Sequence, residues 1–113
     1  MSNNRIDVHN HYVGGVVARW FESSGFLKKY KADAPPWSVD NAIEFMDCHG
    51  IDAQVMSLPL PLDGDAGDTG SAARFAREVN ETYATLIRDH PTRFGAFAAL
   101  PMDSPDDALA EIG

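Results

Sequence analysis

Ile6-Asp7-Val8-His9-Asn10-His11 is the stretch on which the reading of this 113-residue chain turns. It is short, partly β-branched and close to the N-terminus. That pattern predicts a strand over Arg5 to His9, with His9-Asn10-His11 at its C-terminal end. Residues i and i+2 of a strand project to one face. His9 and His11 are therefore expected to converge on one point. A divalent metal takes neutral imidazole nitrogens readily, and zinc is the typical ion for such a pair. Asp7 shares their parity one step deeper, where a carboxylate can orient a metal-ligating histidine from behind. Alone, a His-x-His pair is a weak signal, because this spacing often arises by chance. What surrounds it makes it more specific.

Working outward, residues 12–37 form a long connection containing Gly14-Gly15, Pro35-Pro36 and Trp37. A short helix is expected inside it, around Val16 to Glu22. Connections of this length in compact domains usually carry function or are disordered. Ser38 then reads as a helix N-cap, with Asp40 in the first turn to complement the helix dipole. Val39, Ala42, Ile43 and Met46 share one helical face, and Gly50 stops the helix. Ile51 to Leu58 is an apolar run that suits a second strand, ended by Pro59 and Pro61. Leu62 to Gly70 is a loop rich in Asp and Gly. Ser71 is the expected cap of a long helix whose stripe is Phe75, Val79, Tyr83, Leu86 and Ile87. Pro91 stops that helix, and Phe94 to Leu100 reads as a third strand. Ser104 or Asp106 starts a last helix. Strands separated by helices predict an α/β chain of three βα units on a parallel sheet. Near-continuous apolar strands predict that both sheet faces are covered.

Composition bounds the function. Net charge is −8, from 17 acidic against 9 basic residues. That argues against a nucleic-acid surface, which needs clustered Lys and Arg. No apolar run approaches the roughly 18 residues of a membrane span. The N-terminus lacks the basic and long apolar regions of a signal peptide. A single cysteine, Cys48, excludes an internal disulfide and a multi-cysteine zinc site. A reducing cytoplasm is the simplest compartment. The last helix reaches barely two turns before Gly113, and the third strand would leave an open edge. The chain is expected to be the N-terminal part of something longer.

The sequence resembles the amidohydrolase-related metal-dependent proteins, in the subgroup typified by aminocarboxymuconate semialdehyde decarboxylase and γ-resorcylate decarboxylase. The resembling residues begin with Ile6 to His11 and continue with Ala42-Ile43-Glu44-Phe45-Met46-Asp47, Gly50-Ile51-Asp52 and Ser57-Leu58-Pro59. Arg77-Glu78-Val79-Asn80-Glu81 follows. His90-Pro91-Thr92-Arg93-Phe94 through Leu100-Pro101 is the most specific segment, with Asp107-Ala108-Leu109 beyond it. The resemblance implies a (β/α)8 TIM barrel, of which residues 1–113 would be the N-terminal portion, incomplete. A barrel of this type needs about 250 residues. It implies a divalent metal at the C-terminal face, with His9 and His11 as the paired first-strand ligands. A further His and an Asp, and a catalytic His, come from later strands and lie outside this chain. It implies a non-oxidative decarboxylase of a small aromatic or unsaturated carboxylic acid, or a metal-dependent hydrolase, commonly a homo-oligomer. The 113-residue chain alone is then expected to be inactive. A TatD-like metal-dependent hydrolase and a non-catalytic truncated fragment are the rival readings.

Other residues weigh less. Tyr12, Trp37 and Trp20 lie in or beside the long first connection, which lines the pocket mouth in barrels. Tyr12 and Trp37 are candidates for the substrate pocket, against packing on the rim. Ser57, at the C-terminal end of the second strand, is a third candidate, with its strand parity open. Lys28, Lys29 and Lys31 read as a solvated run rather than a carboxylate trap. Asp63, Asp65 and Asp68 fail the spacing of a calcium loop. His49 and His90 sit at helix C-termini, where a cation is favoured. Cys48 reads as a small packing residue, and Asn80 and Glu81 as structural.

Overall fold

A computed structural model describes residues 4–23, 37–59 and 70–113. In chain order the elements are β1 (Ile6–His11), α1 (Gly15–Ser23), α2 (Val39–His49), β2 (Ala53–Ser57), α3 (Ser71–Asp89), β3 (Phe94–Ala96) and α4 (Pro105–Ile112). The strands form one parallel sheet in the order β1-β2-β3. The expected alternation of strand and helix is present. None of the described helices is long and apolar enough to cross a membrane.

Local chemistry sets most of the boundaries. Ser38 caps α2 by accepting the Asn41 N–H at 3.1 Å. Gly50 closes the same helix in the left-handed region at φ 67°, with its N–H on the Met46 carbonyl. A glycine meets that backbone without strain. Ser104 starts α4, its hydroxyl accepting from the Asp107 N–H. The start of α3 differs from expectation. Gly70, at φ 91°, occupies the cap position without a side-chain bond, and Ser71 is already helical.

α1, α2 and α3 contribute to a core on one face of the sheet, and α4 packs on α3. The core there is built on Val17, Met46, Met56 and Val79, each at most 1% exposed, with Ala76, Tyr83 and Phe94 around them. The opposite face is open, contrary to the expectation that both are covered. Ile6 is 62%, Val8 63% and Phe97 58% exposed. The apolar runs of β1 and β2 thus report one helix-covered face and one bare one.

β3 is shorter than the run from Phe94 to Leu100. One ladder bond continues past it, from the Phe97 N–H to the Met56 carbonyl at 2.9 Å. Then Asn80 of α3 takes over as partner. Its Oδ1 accepts the Ala99 N–H at 2.7 Å, and its Nδ2 donates to the Ala99 carbonyl at 2.8 Å. Nδ2 also donates to Glu111 at 2.9 Å, and Glu111 pairs with Arg77. A side-chain amide thereby replaces a neighbouring strand. At the other end of the sheet Arg93 plays a similar part. It donates to the Asp52 carbonyl at 2.8 Å and pairs with Asp47 at 2.7 Å, which fixes the turn from α2 into β2.

Asn80→Ala would strand both main-chain groups of Ala99. The expected cost is about 2 kcal/mol of unfolding free energy. Denaturant unfolding of the variant checks this, and a loss below about 0.5 kcal/mol would show that Asn80 does not anchor the segment.

Candidate metal centre

β1 and β2 pair in register at Ile6–Ala53 and Asp7–Gln54, and again at Asn10–Met56 and His11–Ser57. Three steps along β1 match two along β2, so β1 carries one extra residue at Val8–His9. This is a β-bulge, and it changes which residues share a face. Gln54 and Met56 are 3% and 0% exposed beneath the helices. Asp7 and Asn10, their partners, belong to that helix-covered side. His11 pairs with Ser57 on the open side. Without the extra residue, His9 would stand opposite Met56 under the helices.

The bulge brings the two imidazoles together in the open. Both histidines are exposed, with ring centroids 5.1 Å apart and planes tilted by 51°. Two imidazole nitrogens on one tetrahedral ion put their ring centres about 5 Å apart. The pair therefore fits as two ligands of a divalent metal. It is an incomplete donor set: among the described residues no group of three or more His, Cys, Asp or Glu could hold an ion.

Asp7 needs correction in its manner of action. It shares parity with His9 and His11 only in an unbroken strand, and the bulge removes it from their face. Its carboxylate meets the main chain instead. Oδ1 accepts the His9 backbone N–H at 3.1 Å, and Oδ2 accepts from Asn10 Nδ2 at 3.2 Å. Ser57 donates from its hydroxyl to the Asn10 carbonyl at 3.3 Å.

The three pocket candidates separate. Tyr12 is 3% exposed and packs edge-on against Trp37 at 4.7 Å and Tyr83 at 5.5 Å. It is a core residue on the helix-covered side, so the expectation that it lines a substrate pocket is corrected. Its apolar ring area outweighs its loop position. Trp37 is half-buried and leans on Tyr12 and Phe94, which makes it first a packing residue. One edge of it also borders a cleft of about 210 Å³ shared with Asn10, His11, Asn41 and Phe45. Ser57 stands beside His11 on the open face, which resolves its parity. Phe97 was missed. Strand alternation carries it to the same face, and its 58% exposure is the signal no periodicity in so short a strand could give.

The remaining residues take ordinary places. Trp20 stacks on Phe75 at 5.4 Å. His49 lies against Phe45 and His90 against Phe94. Cys48 is exposed rather than packed. Lys28, Lys29, Lys31, Asp63, Asp65 and Asp68 lie outside the described residues.

The sequence matches the amidohydrolase family over residues 6–113. The chain belongs to that family. Its relatives include decarboxylases. Decarboxylase yanB of Aspergillus niger is 34% identical over 110 residues, covering 96% of this chain and 30% of that protein. A gamma-resorcylate decarboxylase of Polaromonas sp. is 38% identical over 73 residues, covering 65% of this chain and 22% of its own length. Among solved structures, a dihydroxybenzoic acid decarboxylase from Polaromonas sp., with bound manganese and the inhibitor 2-nitroresorcinol, superposes with a TM-score of 0.71. It is 30% identical, and the match covers 97% of this chain and 34% of that one. A 2,6-dihydroxybenzoate decarboxylase complexed with 2,6-dihydroxybenzoate superposes with a TM-score of 0.72 at 28% identity, covering 99% and 35%. These neighbours are amidohydrolase TIM-barrel proteins. The amidohydrolase chain described here spans about a third or less of their length.

The aromatic core behind the centre sets an alkaline limit. The Tyr83 hydroxyl is buried and has no hydrogen-bond partner among the described residues. Burial pushes its phenol above the usual range, and neighbouring Tyr12 adds to the shift. Burial also raises Tyr12, opposed by the positive charge of Arg19. Both folded-state values lie above those of the unfolded chain. The stability they contribute is present below about pH 10 and is lost as pH rises beyond it. Thermal unfolding across that range should show the fall. Tyr83→Phe should lessen it and leave stability at neutral pH equal or about 1 kcal/mol higher, since an unpartnered hydroxyl is removed. A steeper alkaline fall in the variant would contradict this.

Proposed function

We propose that residues 1–113 supply the first two metal ligands of a divalent-metal-dependent carboxy-lyase that acts on a small aromatic carboxylic acid such as a dihydroxybenzoate. The observation that carries the reading is the exposed His9–His11 pair, set at the C-terminal end of β1 by a bulge. Barrel enzymes place their chemistry at that end of the sheet. The decarboxylase relatives favour carbon–carbon cleavage over hydrolysis, and 2,6-dihydroxybenzoate is the acid held by one of the superposed structures. In this reading the chain is the first three βα units of a barrel domain. The other ligands and the proton donor come from outside residues 1–113.

His9 and His11 would hold the ion through neutral ring nitrogens. An ion held there would supply a positive charge for the carboxylate and phenolate oxygens of the acid. Manganese in the Polaromonas decarboxylase supports a divalent ion in general rather than zinc in particular. Ser57 places a hydroxyl beside His11. Phe97 offers an aromatic ring on the same face, suited to stacking on a benzoate. The reaction itself is redox-neutral. The bond from ring carbon to carboxyl carbon breaks, carbon dioxide leaves, and a proton takes its place on the ring.

Carbon dioxide release from 2,6-dihydroxybenzoate by the whole gene product carrying these residues tests the proposal. Activity is expected in that product and absent from the isolated 113-residue chain. His9→Ala and His11→Ala should each abolish metal retention and activity in the whole product. Unchanged metal content in both variants would refute the ligand assignment, and turnover by the isolated chain would refute its dependence on further residues.

A further inference from the structure

The extra residue in β1, at Val8–His9, interrupts the sheet ladder immediately before the paired imidazoles. Strand pairing resumes only at Asn10–Met56. Three side chains close around the gap. Asp7 accepts the His9 N–H at 3.1 Å through Oδ1. Its Oδ2 accepts from Asn10 Nδ2 at 3.2 Å. Ser57, reaching from the neighbouring strand, donates to the Asn10 carbonyl at 3.3 Å. The Tyr12 N–H then returns to the Ser57 carbonyl at 2.9 Å.

We propose that Asp7, Asn10 and Ser57 form a main-chain clamp that presets the spacing of the His9 and His11 imidazoles. In it Asp7 is a positioning residue that acts through the His9 peptide rather than through a ring. The inference rests on the metal reading of the two histidines.

The chemistry of each position supports the clamp. A bulge disrupts the ladder and leaves main-chain groups to be satisfied by other means. A carboxylate two residues before an N–H is a short, charge-assisted substitute for the lost strand bond. Both carboxylate oxygens of Asp7 accept here. An Asn at position 7 would keep an acceptor on the His9 N–H and donate its NH2 to Asn10, whose own amide flips to accept, whereas an Ala there loses both contacts. Asn10 is engaged at both its side chain and its carbonyl, so the peptide between the ligands is fixed at two points. The imidazoles themselves are exposed and have no such restraint. Ordering their backbone in advance lowers the entropy lost when an ion binds.

Removal of the Asp7 carboxylate supplies the test. In the whole gene product, Zn2+ affinity is measured by competition with a chromophoric chelator, and His9 amide exchange is followed by NMR. Asp7→Ala is expected to weaken Zn2+ binding about tenfold or more. It should also speed exchange of the His9 amide. Asp7→Asn keeps an acceptor on the His9 N–H and a donor to the flipped Asn10 amide, so it should hold affinity to within about threefold of the parent. Ser57→Ala should lose affinity in the same direction by a smaller factor. A merely structural role would lower the melting temperature of Asp7→Ala and leave its Zn2+ affinity unchanged. Parent-like affinity and exchange in Asp7→Ala would overturn the clamp, as would an Asp7→Asn variant as weak as Asp7→Ala. If Asp7→Ala fails to fold, Ser57→Ala and Asp7→Asn decide, and parent-like affinity in the former with loss in the latter overturns the proposal. Zinc retention in His9→Ala and His11→Ala would instead sink the metal reading, leaving the His9 exchange rate to judge the clamp separately.

Discussion

Pleating sends successive side chains to opposite faces of a sheet, so one residue added to a strand exchanges the faces of everything beyond it. In β1 that exchange falls between Asp7 and Asn10. Ahead of it, Asp7 lies with Gln54 on the helix-covered side. Beyond it, Asn10 lies with Met56 on that same side, which releases His9 and His11 to the other. A regular pairing would press His9 against Met56, which is fully buried among the side chains of the helices. The position of the imidazoles, the role open to Asp7 and the relevance of Ser57 all follow from that single insertion.

The rest of the architecture supports a sheet with two unlike faces. Helices α1, α2 and α3 contribute Val17, Met46 and Val79 to one continuous core against β2 and β3. Asn80 and Arg93 fasten the two ends of the strands to the helix side through main-chain bonds. The opposite face carries Ile6, Val8 and Phe97 uncovered, and the histidine pair stands at one end of it. In the proposed reading this face turns toward a barrel interior, where side chains fill the core and the C-terminal end holds the chemistry.

Much of this was legible in the sequence because the signals were local. Ser38 with Asp40, and Gly50 after His49, mark helix ends by chemistry that acts within four residues. The His9–His11 spacing likewise survives into the structure, since the bulge lies ahead of both rings. What escaped depends on distant partners. Ser71 has the composition of a cap, yet the left-handed backbone at Gly70 takes the position. Phe94 to Leu100 has the composition of a long strand, but Asn80 from α3 captures Ala99 and ends the ladder early. Asp7 shares the parity of the histidines on paper, and only the register against β2 separates them. Tyr12 sits next to the His9–His11 pair in sequence, but its ring finds Trp37 and Tyr83 on the far side of the sheet.

In the proposed reading His9 and His11 share one ion on the open face of β1. Crystals of the whole gene product grown with Mn2+ would test this through an anomalous difference map. One peak is expected within about 2.3 Å of a ring nitrogen on each histidine, with the Asp7 carboxylate still on the His9 N–H. A peak bound by only one of the two rings, or none near either, would contradict it.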